Sequence, residues 1–237
     1  MTLNISTLNV RSIKSRVRVE SVFTFLGSLS ADVFLLQECG LPFLKTYPQW
    51  EGRWPKGKSI FSGSNENKSD GVAILIKNPL VAVKGSTVVR DGRALLAHLT
   101  YMGQDFKLLN IYGFNDKNNR YDLFEELQPH MLGRVPLVVG GDFNCVLSRK
   151  DRRGAGEDFK VDKTSFLLQN IVKDFRLQDC FKNIHPREEG FTWFSGDGKK
   201  ASRIDYVFTR GCLQTDASLT PVFFSDQEPA FCHSGRV

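Results

Sequence analysis

The chain has 237 residues, 41% of them hydrophobic and 24% charged, and this composition is typical of a folded globular protein rather than a disordered or fibrous one. The apolar runs are far shorter than the roughly 20 residues that a membrane-spanning helix needs. The first residues also lack a basic region followed by an apolar core, so we expect an intracellular protein with no membrane segment. A net charge of +6 favours a polyanionic partner such as nucleic acid.

The cysteines are five in number and show no C-x-x-C spacing, which disfavours a disulfide framework and a zinc site. We expect reduced, mostly buried thiols at Cys39, Cys145, Cys180, Cys212 and Cys232.

The chain begins with the pattern of a strand, a helix and a second strand. Alternating residues predict a strand from Leu3 to Val10, and apolar residues at helical spacing predict a helix from Val19 to Ser30. The run from Ala31 to Glu38 is apolar on both faces until its last two residues, which indicates an inner strand that ends at Glu38.

The remaining chain alternates groups of strands with single helices. A loop from Pro42 to Asp70 precedes predicted strands, and helices are predicted from about Arg120 to Leu132 and from about Lys163 to Phe175. The predicted strands are Gly71–Ile76, Val81–Val89, Ala94–Tyr101, Asp105–Tyr112, Val135–Val139, Phe191–Phe194, Arg203–Phe208 and Leu213–Phe224. This order predicts an α/β protein in which two sheets pack together with helices outside, in a single domain spanning residues 1–237.

Asp142 and Asn144 follow an apolar strand and two glycines, and their spacing points both side chains the same way. A carboxylate that orients a water and a neutral donor beside it are the groups that phosphodiester hydrolysis needs. An ordinary Asx turn after a strand explains the pair equally well.

Other polar residues also stand at or near the ends of apolar strands. Glu38 is placed where a Mg²⁺ ligand would be expected, although a solvated loop residue fits too. Asp205 shares a strand face with Arg203, which permits a structural ion pair. Asn9, Asn110 and Tyr112 are each explained as satisfied core polar groups, but the repeated pattern predicts a shared cleft at the strand ends.

The ordered motifs Leu8-Asn9-Val10, Leu36-Gln37-Glu38, Asn110-Ile111-Tyr112, Gly141-Asp142-Phe143-Asn144, Ser202-Arg203-Ile204-Asp205-Tyr206 and Ser225-Asp226 resemble the endonuclease/exonuclease/phosphatase superfamily. The match spans nearly the whole chain. Within it, the stretches Gly140–Gly154 and His185–Asp205 resemble the apurinic-type endonuclease domain of LINE-type non-LTR retrotransposons.

The resemblance implies a four-layer α/β sandwich and an enzyme that nicks DNA with Mg²⁺, or with Mn²⁺ in its place. Glu38, Asn9 and Asp226 would serve the metal side of the site. Asp142 and Asn144 would position the attacking water. Tyr112 would contact the phosphate, and Asp205 would orient a histidine.

The predicted DNA contacts come from clusters of basic residues and from the stretch that resembles the retrotransposon nucleases. The hairpin tip at Ser195–Lys200 could enter a groove, and the run Arg149–Arg153 could contact the DNA backbone, although both are also compatible with ordinary solvated surface. The predicted contacts are Arg149, Arg152, Arg153, Thr192, Lys199, Lys200 and Arg203.

The chain departs from the family at the last motif, where Ser-Asp-His is replaced by Ser225-Asp226-Gln227. Gln227 cannot become a cation or shuttle a proton, so we expect slowed or absent cleavage. The sequence after about residue 227 also differs from the closing strand expected in this family, and His233 lies six residues beyond the expected histidine.

The sequence is therefore compatible with three functions. The first is a DNA-nicking enzyme in the nucleus, monomeric as an isolated domain. The second is a phosphatase of the same superfamily, and the third is a DNA-binding remnant without catalysis. The basic charge favours DNA as the partner.

Overall fold

The computed structural model describes residues 2–40, 54–64, 70–154, 161–219 and 230–235. The strands in these ranges are β1 (Thr2–Asn9), β2 (Val33–Gln37), β3 (Lys58–Ser62), β4 (Val72–Ile76), β5 (Val81–Arg90), β6 (Ala94–Tyr101), β7 (Gln104–Tyr112), β8 (Leu137–Asp142), β9 (Arg152–Arg153), β10 (Gln178–Asp179), β11 (Trp193–Phe194), β12 (Ala201–Ser202), β13 (Asp205–Arg210), β14 (Leu213–Leu219) and β15 (Ala230–Gly235). The α-helices are α1 (Arg16–Ser28), α2 (Lys117–Leu127), α3 (Lys163–Asp174) and α4 (Cys180–Ile184).

The strands form two large mixed sheets and one small sheet. The first has the order β14-β15-β1-β2-β4-β3 and the second β10-β13-β8-β7-β6-β5, while β11-β12-β9 form the small one. The pairs β1–β2 and β7–β8 are parallel. A parallel connection needs a crossover, and α1 and α2 provide these two.

The two large sheets pack face to face, and β2 shows how the sequence specifies this. Val33 and Leu35 belong to a core between the sheets, together with Leu108 and Val138 of the second sheet. Phe34 and Leu36 point to the opposite face and pack beneath α1. The strand is therefore buried on both faces, which confirms the predicted inner position.

The helices cover the outer faces of the sheets. Val22 and Leu26 of α1 belong to the outer core of the first sheet. Leu123 of α2 and Leu168 of α3 belong to the outer core of the second, together with Val139. The predicted four-layer α/β sandwich is confirmed. No helix in the described part of the chain is long and apolar enough to cross a membrane.

The helix boundaries differ from the predicted ones because polar caps begin the helices earlier than the apolar pattern does. Ser15 accepts a hydrogen bond from the Arg18 backbone N–H at 3.2 Å, so α1 begins at Arg16. Asp116 accepts from two backbone N–H groups, so α2 begins at Lys117. This helix ends at Leu127, before a 3₁₀ turn that contains Pro129.

Several strands also differ from the prediction. β8 continues to Asp142, and β3 lies inside the segment predicted as a loop. β14 ends at Leu219, and residues 220–224 of the predicted strand lie outside the described residues. Ala230–Gly235 forms β15 between β1 and β14, although the sequence after about residue 227 does not resemble a closing strand.

The described cysteine side chains are free thiols, as predicted. Cys39, Cys145 and Cys180 are buried, and Cys212 is partly buried. Burial raises the pKa of Cys212 to about 11, so this thiol stays protonated at neutral pH.

Candidate active site

A cleft of about 560 Å³ opens where the C-terminal ends of β1, β2, β7 and β8 meet. Its lining residues are Asn9, Arg11, Glu38, Tyr112, Asn115, Asp142, Asn144, Arg152, Trp193, Ser202 and Ile204. They include five of the residues predicted as catalytic or metal-binding and one predicted DNA contact. The structure therefore brings distant strand ends into one polar site.

The two glycines before Asp142 let β8 pass through a crowded position, beside β7 at Gly141 and against the facing sheet at Gly140. Gly141 has φ +142°, and a Cβ there would lie 1.9 Å from the backbone oxygen of Ile111. A Cβ on Gly140 would lie 2.7 Å from a methyl carbon of Leu35. Only glycine can lie this close to the Ile111 backbone at residue 141 without displacing it. The glycines therefore fix the position of Asp142 at the end of β8.

Asp142 lies at the base of the cleft and is 1% exposed. Its Oδ2 accepts a hydrogen bond from Asn9 Nδ2 at 3.0 Å, and its Oδ1 accepts one from the Asn144 backbone N–H at 2.9 Å. The second bond is an Asx turn, so the two sequence-based interpretations are compatible: the turn holds a carboxylate that also faces the cleft. A carboxylate with two fixed donors has a defined orientation.

Asn144 is positioned by its own backbone and by the adjoining loop. Its φ is +48°, a left-handed conformation that asparagine tolerates better than most residues. Its Nδ2 donates to the carbonyl oxygen of Gly113 at 2.9 Å, while the Gly113 N–H donates to the Asp142 carbonyl oxygen at 2.7 Å. The loop after β7 therefore holds Asn144 beside Asp142.

Glu38 directly follows β2 and is half-buried in the cleft wall. Its φ is +55°, and its carbonyl oxygen accepts a hydrogen bond from the Ser12 N–H at 2.6 Å. The preceding residue, Gln37, is fully buried and donates from Nε2 to Asn110 Oδ1 at 2.7 Å and to Thr7 Oγ1 at 2.9 Å. This network between the sheets fixes the end of β2. Asn110 is therefore a satisfied core polar group.

The cleft rim concentrates left-handed backbone conformations at residues other than glycine. Arg11 has φ +47° and Ser12 +78°, beside the values already given for Glu38 and Asn144. Such residues each cost of the order of 1 kcal/mol and persist where the surrounding structure imposes them. Their concentration at the rim indicates that the surrounding structure, and not local backbone preference, sets the direction of these side chains.

Tyr112 ends β7 and is 5% exposed. The guanidinium of Arg93 lies 4.3 Å from its ring centroid and 4.2 Å from that of Phe114. Arg93 is itself buried and pairs with Asp70 at 2.5 Å. A cation thus packs against the ring of Tyr112, which also lines the cleft.

Asp205 lies behind Asp142 rather than in the cleft lining. The two residues are directly opposite each other on β13 and β8. The backbone N–H of Asp205 donates to Thr192 Oγ1 at 3.1 Å, and its buried Oδ2 has no hydrogen-bond partner among the described residues. Burial and, second, the charge of Asp142 raise the pKa of Asp205 well above its ordinary value.

Two predicted DNA contacts have a structural position instead. Thr192 is fully buried and bonds the backbone N–H of Asp205 and of Ile204. Arg203 is 4% exposed and pairs with Asp151 at 2.8 Å and Asp179 at 2.6 Å, not with Asp205. Burial prevents both side chains from reaching a DNA surface in this conformation.

The other predicted DNA contacts lie at the surface. Arg149 is exposed in a 3₁₀ turn, and the neighbouring residues Arg152 and Arg153 lie on the edge strand β9. The predicted hairpin joins β11 to β12, with exposed Lys199 and Lys200 near its tip. Of these residues, Arg152 lines the cleft.

Asp226 and Gln227 lie outside the described residues. The backbone of His233 pairs with Asn4 on β1. Asn4 is five residues from Asn9, or about 17 Å along the strand, which disfavours substitution of this histidine for the one missing at Gln227.

Five cleft residues were not predicted from the sequence: Arg11, Asn115, Trp193, Ser202 and Ile204. Arg11 could have been predicted from the sequence, because it stands two residues after Asn9, just past the end of β1. Trp193 and Ser202 are paired in register on β11 and β12, but two-residue strands leave no periodic pattern to recognise.

Two mixed sheets packed between helices, with a polar cleft at the strand ends, define an α/β-sandwich protein with a candidate hydrolytic site. The chain belongs to the endonuclease/exonuclease/phosphatase family, whose sequence profile matches residues 1–226. Members of this family are hydrolytic nucleases and phosphatases.

A curated relative is the "Transposon TX1 uncharacterized 149 kDa protein" of Xenopus laevis, which is 28% identical over 245 residues and covers the whole chain. The chain spans 18% of the length of that relative. The transposon origin of this relative agrees with the predicted resemblance to LINE-type elements.

Solved structures with the same fold include nucleic-acid enzymes. A 3′ phosphatase, NExo, from Neisseria bound to product DNA hairpin has a TM-score of 0.75 and 21% identity, covering 97% of this chain and 98% of that one. An AP endonuclease from Archaeoglobus fulgidus has a TM-score of 0.75 and 20% identity, with the same coverage.

Proposed function

We propose that this chain is a divalent-metal-dependent nuclease that hydrolyses a DNA phosphodiester and makes a nick at a transposon target. The observation that carries the proposal is the fixed carboxylate of Asp142, which is buried at the cleft base and held by Asn9 and Asn144. A carboxylate in this environment can orient and deprotonate a water that attacks phosphorus.

The cleft donors fit a hard divalent cation. Mg²⁺ keeps several waters and is commonly held by one or two carboxylates together with substrate phosphate oxygens. Glu38 offers a carboxylate in the cleft wall, and Asn9 lines the same cleft, where its Oδ1 accepts a hydrogen bond from the Arg11 N–H at 3.1 Å. In this proposal Glu38 and Asn9 hold Mg²⁺ or Mn²⁺, and Asp226 assists. Bound metal would neutralise phosphate charge and polarise the scissile bond.

The neutral and aromatic groups of the cleft would act on the phosphate. Asn144 lies beside Asp142 and can donate a hydrogen bond toward the attacked phosphoryl group when substrate displaces its bond to Gly113. Tyr112 would donate from its phenol to a phosphate oxygen. Arg93, stacked on the ring of Tyr112, keeps the phenol in place and is itself neutralised by Asp70.

Asp205 has a different role in this proposal. In related enzymes it would orient a histidine, but its raised pKa favours the neutral acid here. A protonated carboxyl beside Asp142 leaves the negative charge of the pair on Asp142, where the water is activated. Asp205 thus supports the base rather than acting on the phosphate.

Several observations support DNA over a small phosphate ester. The cleft lining includes Arg11 and Arg152, and phosphate neutralisation by such residues supplies much of nonspecific DNA affinity. Arg149 and the lysines of the β11–β12 hairpin are exposed on segments next to the small sheet that contributes Arg152. The transposon relative and the DNA-bound Neisseria phosphatase support the same substrate class. A transposon nuclease of this kind would act in the nucleus, and we propose that the isolated chain is monomeric.

The test is a supercoiled-plasmid nicking assay with Mg²⁺ or with chelator. Asp142→Ala is expected to lower the nicking rate by about 10²- to 10³-fold or more, since it removes the proposed base. Lys173→Ala, on the last turn of α3 and away from the cleft, is the matched control. Nicking that persists in chelator, or in Asp142→Ala at the parent rate, would contradict the proposal.

A second candidate is a DNA-binding remnant without catalysis. Gln227 in place of histidine and the unpartnered Oδ2 of Asp205 among the described residues favour it. Retained DNA binding with no Mg²⁺-dependent nicking would select this candidate. Release of phosphate from a 3′-phosphorylated oligonucleotide without nicking would select the phosphatase instead.

A further inference from the structure

A second cleft, here called the aromatic pocket, lies beside the candidate active site and has a volume of about 540 Å³. Phenylalanine rings form much of its lining: Phe181, Phe191 and Phe194. Phe181 and Phe194 are partly exposed to solvent. Ring surface that faces an open cleft is available for stacking with a planar ligand.

The three-stranded sheet β11-β12-β9 separates the aromatic pocket from the active-site cleft. Trp193 and Arg152 pair with the same residue of β12, Ser202, and all three line the active-site cleft. The next residue along each edge strand is Phe194 on β11 and Arg153 on β9. Both pair with Ala201 of β12, and both line the aromatic pocket. Successive strand residues point to opposite faces, so one step along the chain moves from one site to the other.

The rings are held in fixed positions. The guanidinium of Arg153 lies 5.3 Å from the ring centroid of Phe191, and the rings of Phe181 and His185 are 5.0 Å apart at 34°. Gly190, with φ +69°, packs directly against the ring of Phe181, because a Cβ at this residue would lie 2.3 Å from the ring. The pocket is therefore a pre-formed aromatic surface.

The charged rim selects the chemistry of the ligand. A carboxylate oxygen of Glu188 lies 2.9 Å from His185 Nδ1, and a carboxylate oxygen of Glu189 lies 3.8 Å from Arg153. Among the described residues, the rim thus carries two carboxylates beside a single guanidinium and has no excess of cations to attract a phosphate or an anionic lipid into the pocket itself. The remaining lone pairs of the carboxylates suit the exocyclic amino group of a nucleobase, which is neutral, planar and a donor.

We propose that the aromatic pocket binds an unpaired nucleobase of the DNA strand that the active-site cleft engages. The inference rests on the proposed function for the identity of that strand. The strand would pass around the end of the three-stranded sheet, where the hairpin carries Lys199 and Lys200. Gly154, just after β9, packs against the Lys199 backbone, so the end of β9 lies beside the basic hairpin.

The first experiment measures DNA binding by the full chain in chelator, so that cleavage does not interfere. Fluorescence anisotropy compares a duplex that has a two-nucleotide bulge with a fully paired duplex of the same length. The parent chain is expected to prefer the bulged duplex. Phe194→Ala is expected to weaken binding of the bulged duplex by roughly 5- to 150-fold, the range for loss of one base–aromatic stack.

Matched variants separate stacking from loss of structure. Phe194→Tyr keeps the ring and should retain the preference for the bulged duplex. Phe166→Ala removes a phenylalanine that is 56% exposed on α3, away from both clefts, and should leave the preference at the parent value. Ser218→Phe fills the pocket from β14 and should abolish the preference, which keeps the test valid if Phe194→Ala fails to fold.

A 2-aminopurine in the bulge reports stacking directly, since its fluorescence is expected to fall on binding to the parent and not to Phe194→Ala. Equal affinity of the parent for both duplexes would overturn the proposal, as would an equal loss on both duplexes in Phe194→Ala. Free 2-aminopurine nucleotide that binds as tightly as the bulged DNA would overturn the DNA strand as the source.

Failure of this proposal is distinguishable from failure of the proposed function. Bulge preference that depends on Phe194, without any plasmid nicking, leaves the pocket proposal intact and rejects catalysis. Nicking that depends on Asp142, without bulge preference, rejects the pocket alone.

Discussion

The buried guanidinium of Arg203 connects the three-stranded sheet to the two carboxylates behind it. Its Nε donates to Asp151 and its Nη1 to Asp179, while its backbone N–H donates to the Asp151 carbonyl oxygen at 2.8 Å. Burial lowers the pKa of Arg203, but Asp179, Tyr206 and Asp151 raise it by more, so the side chain stays charged. One cation therefore neutralises two acids from separate segments.

Arg203→Leu is expected to lower the free energy of unfolding by about 3–5 kcal/mol, because it leaves buried carboxylates without their counter-ion. Arg203 and Asp151 side chains are each 4% exposed, so solvent offers little compensation. This loss is a large fraction of the roughly 5–15 kcal/mol that a domain typically has. Arg203→Lys is expected to lower the free energy of unfolding by less than Arg203→Leu, because lysine keeps the charge. It should still destabilise the fold, because lysine cannot reproduce the forked geometry of the guanidinium.

Urea denaturation followed by circular dichroism measures this prediction, with Arg149→Leu as the control. Arg149 lies in the same region but is exposed, and such substitutions usually change stability by less than about 0.5 kcal/mol. If Arg203→Leu destabilises the protein no more than Arg149→Leu, the buried network does not stabilise the fold as argued.

Three further predictions concern the site. Asp205→Asn should gain stability over the parent as pH rises above about 4, because the raised pKa of buried Asp205 means that folding is opposed by its ionisation above its ordinary pKa. A pH-independent difference in urea midpoint would contradict this prediction. Gly141→Ala should abolish cooperative unfolding by calorimetry, since its Cβ would collide with the Ile111 carbonyl, whereas Gly196→Ala, with open space around its Cβ, should unfold normally. Gln227→His should speed plasmid nicking by about 10²-fold if this position limits catalysis, and an unchanged rate would remove it as the cause.

The strand ends of the site were predictable because the signal is local. An apolar run buried on both faces, followed by a polar residue, identified Glu38 and Asp142 as the positions where strands leave the core. The two glycines before Asp142 strengthened the prediction of a turn there, because a backbone conformation that favours glycine can be recognised from the sequence. The predicted position of Asn9 follows from the same reasoning.

The roles of the predicted DNA contacts were less predictable, because burial depends on segments far apart in the chain. Thr192 and Arg203 were predicted to contact DNA, but the structure buries both. Arg203 finds its acids 52 and 24 residues earlier, at Asp151 and Asp179. No pattern near Arg203 distinguishes a buried ion pair from an exposed cation.

The sequence by itself determined the α/β class, the layering of the sheets and the polar residues at four strand ends, because alternation and apolar runs reflect burial directly. Only the tertiary structure decided that Asn9 hydrogen-bonds Asp142, 133 residues away, and that Asp205 lies opposite Asp142 without entering the cleft. It also placed Arg152 and Arg153 on opposite faces of one short sheet. Such contacts depend on how sheets pack against each other, and packing between distant segments leaves no local record in the chain.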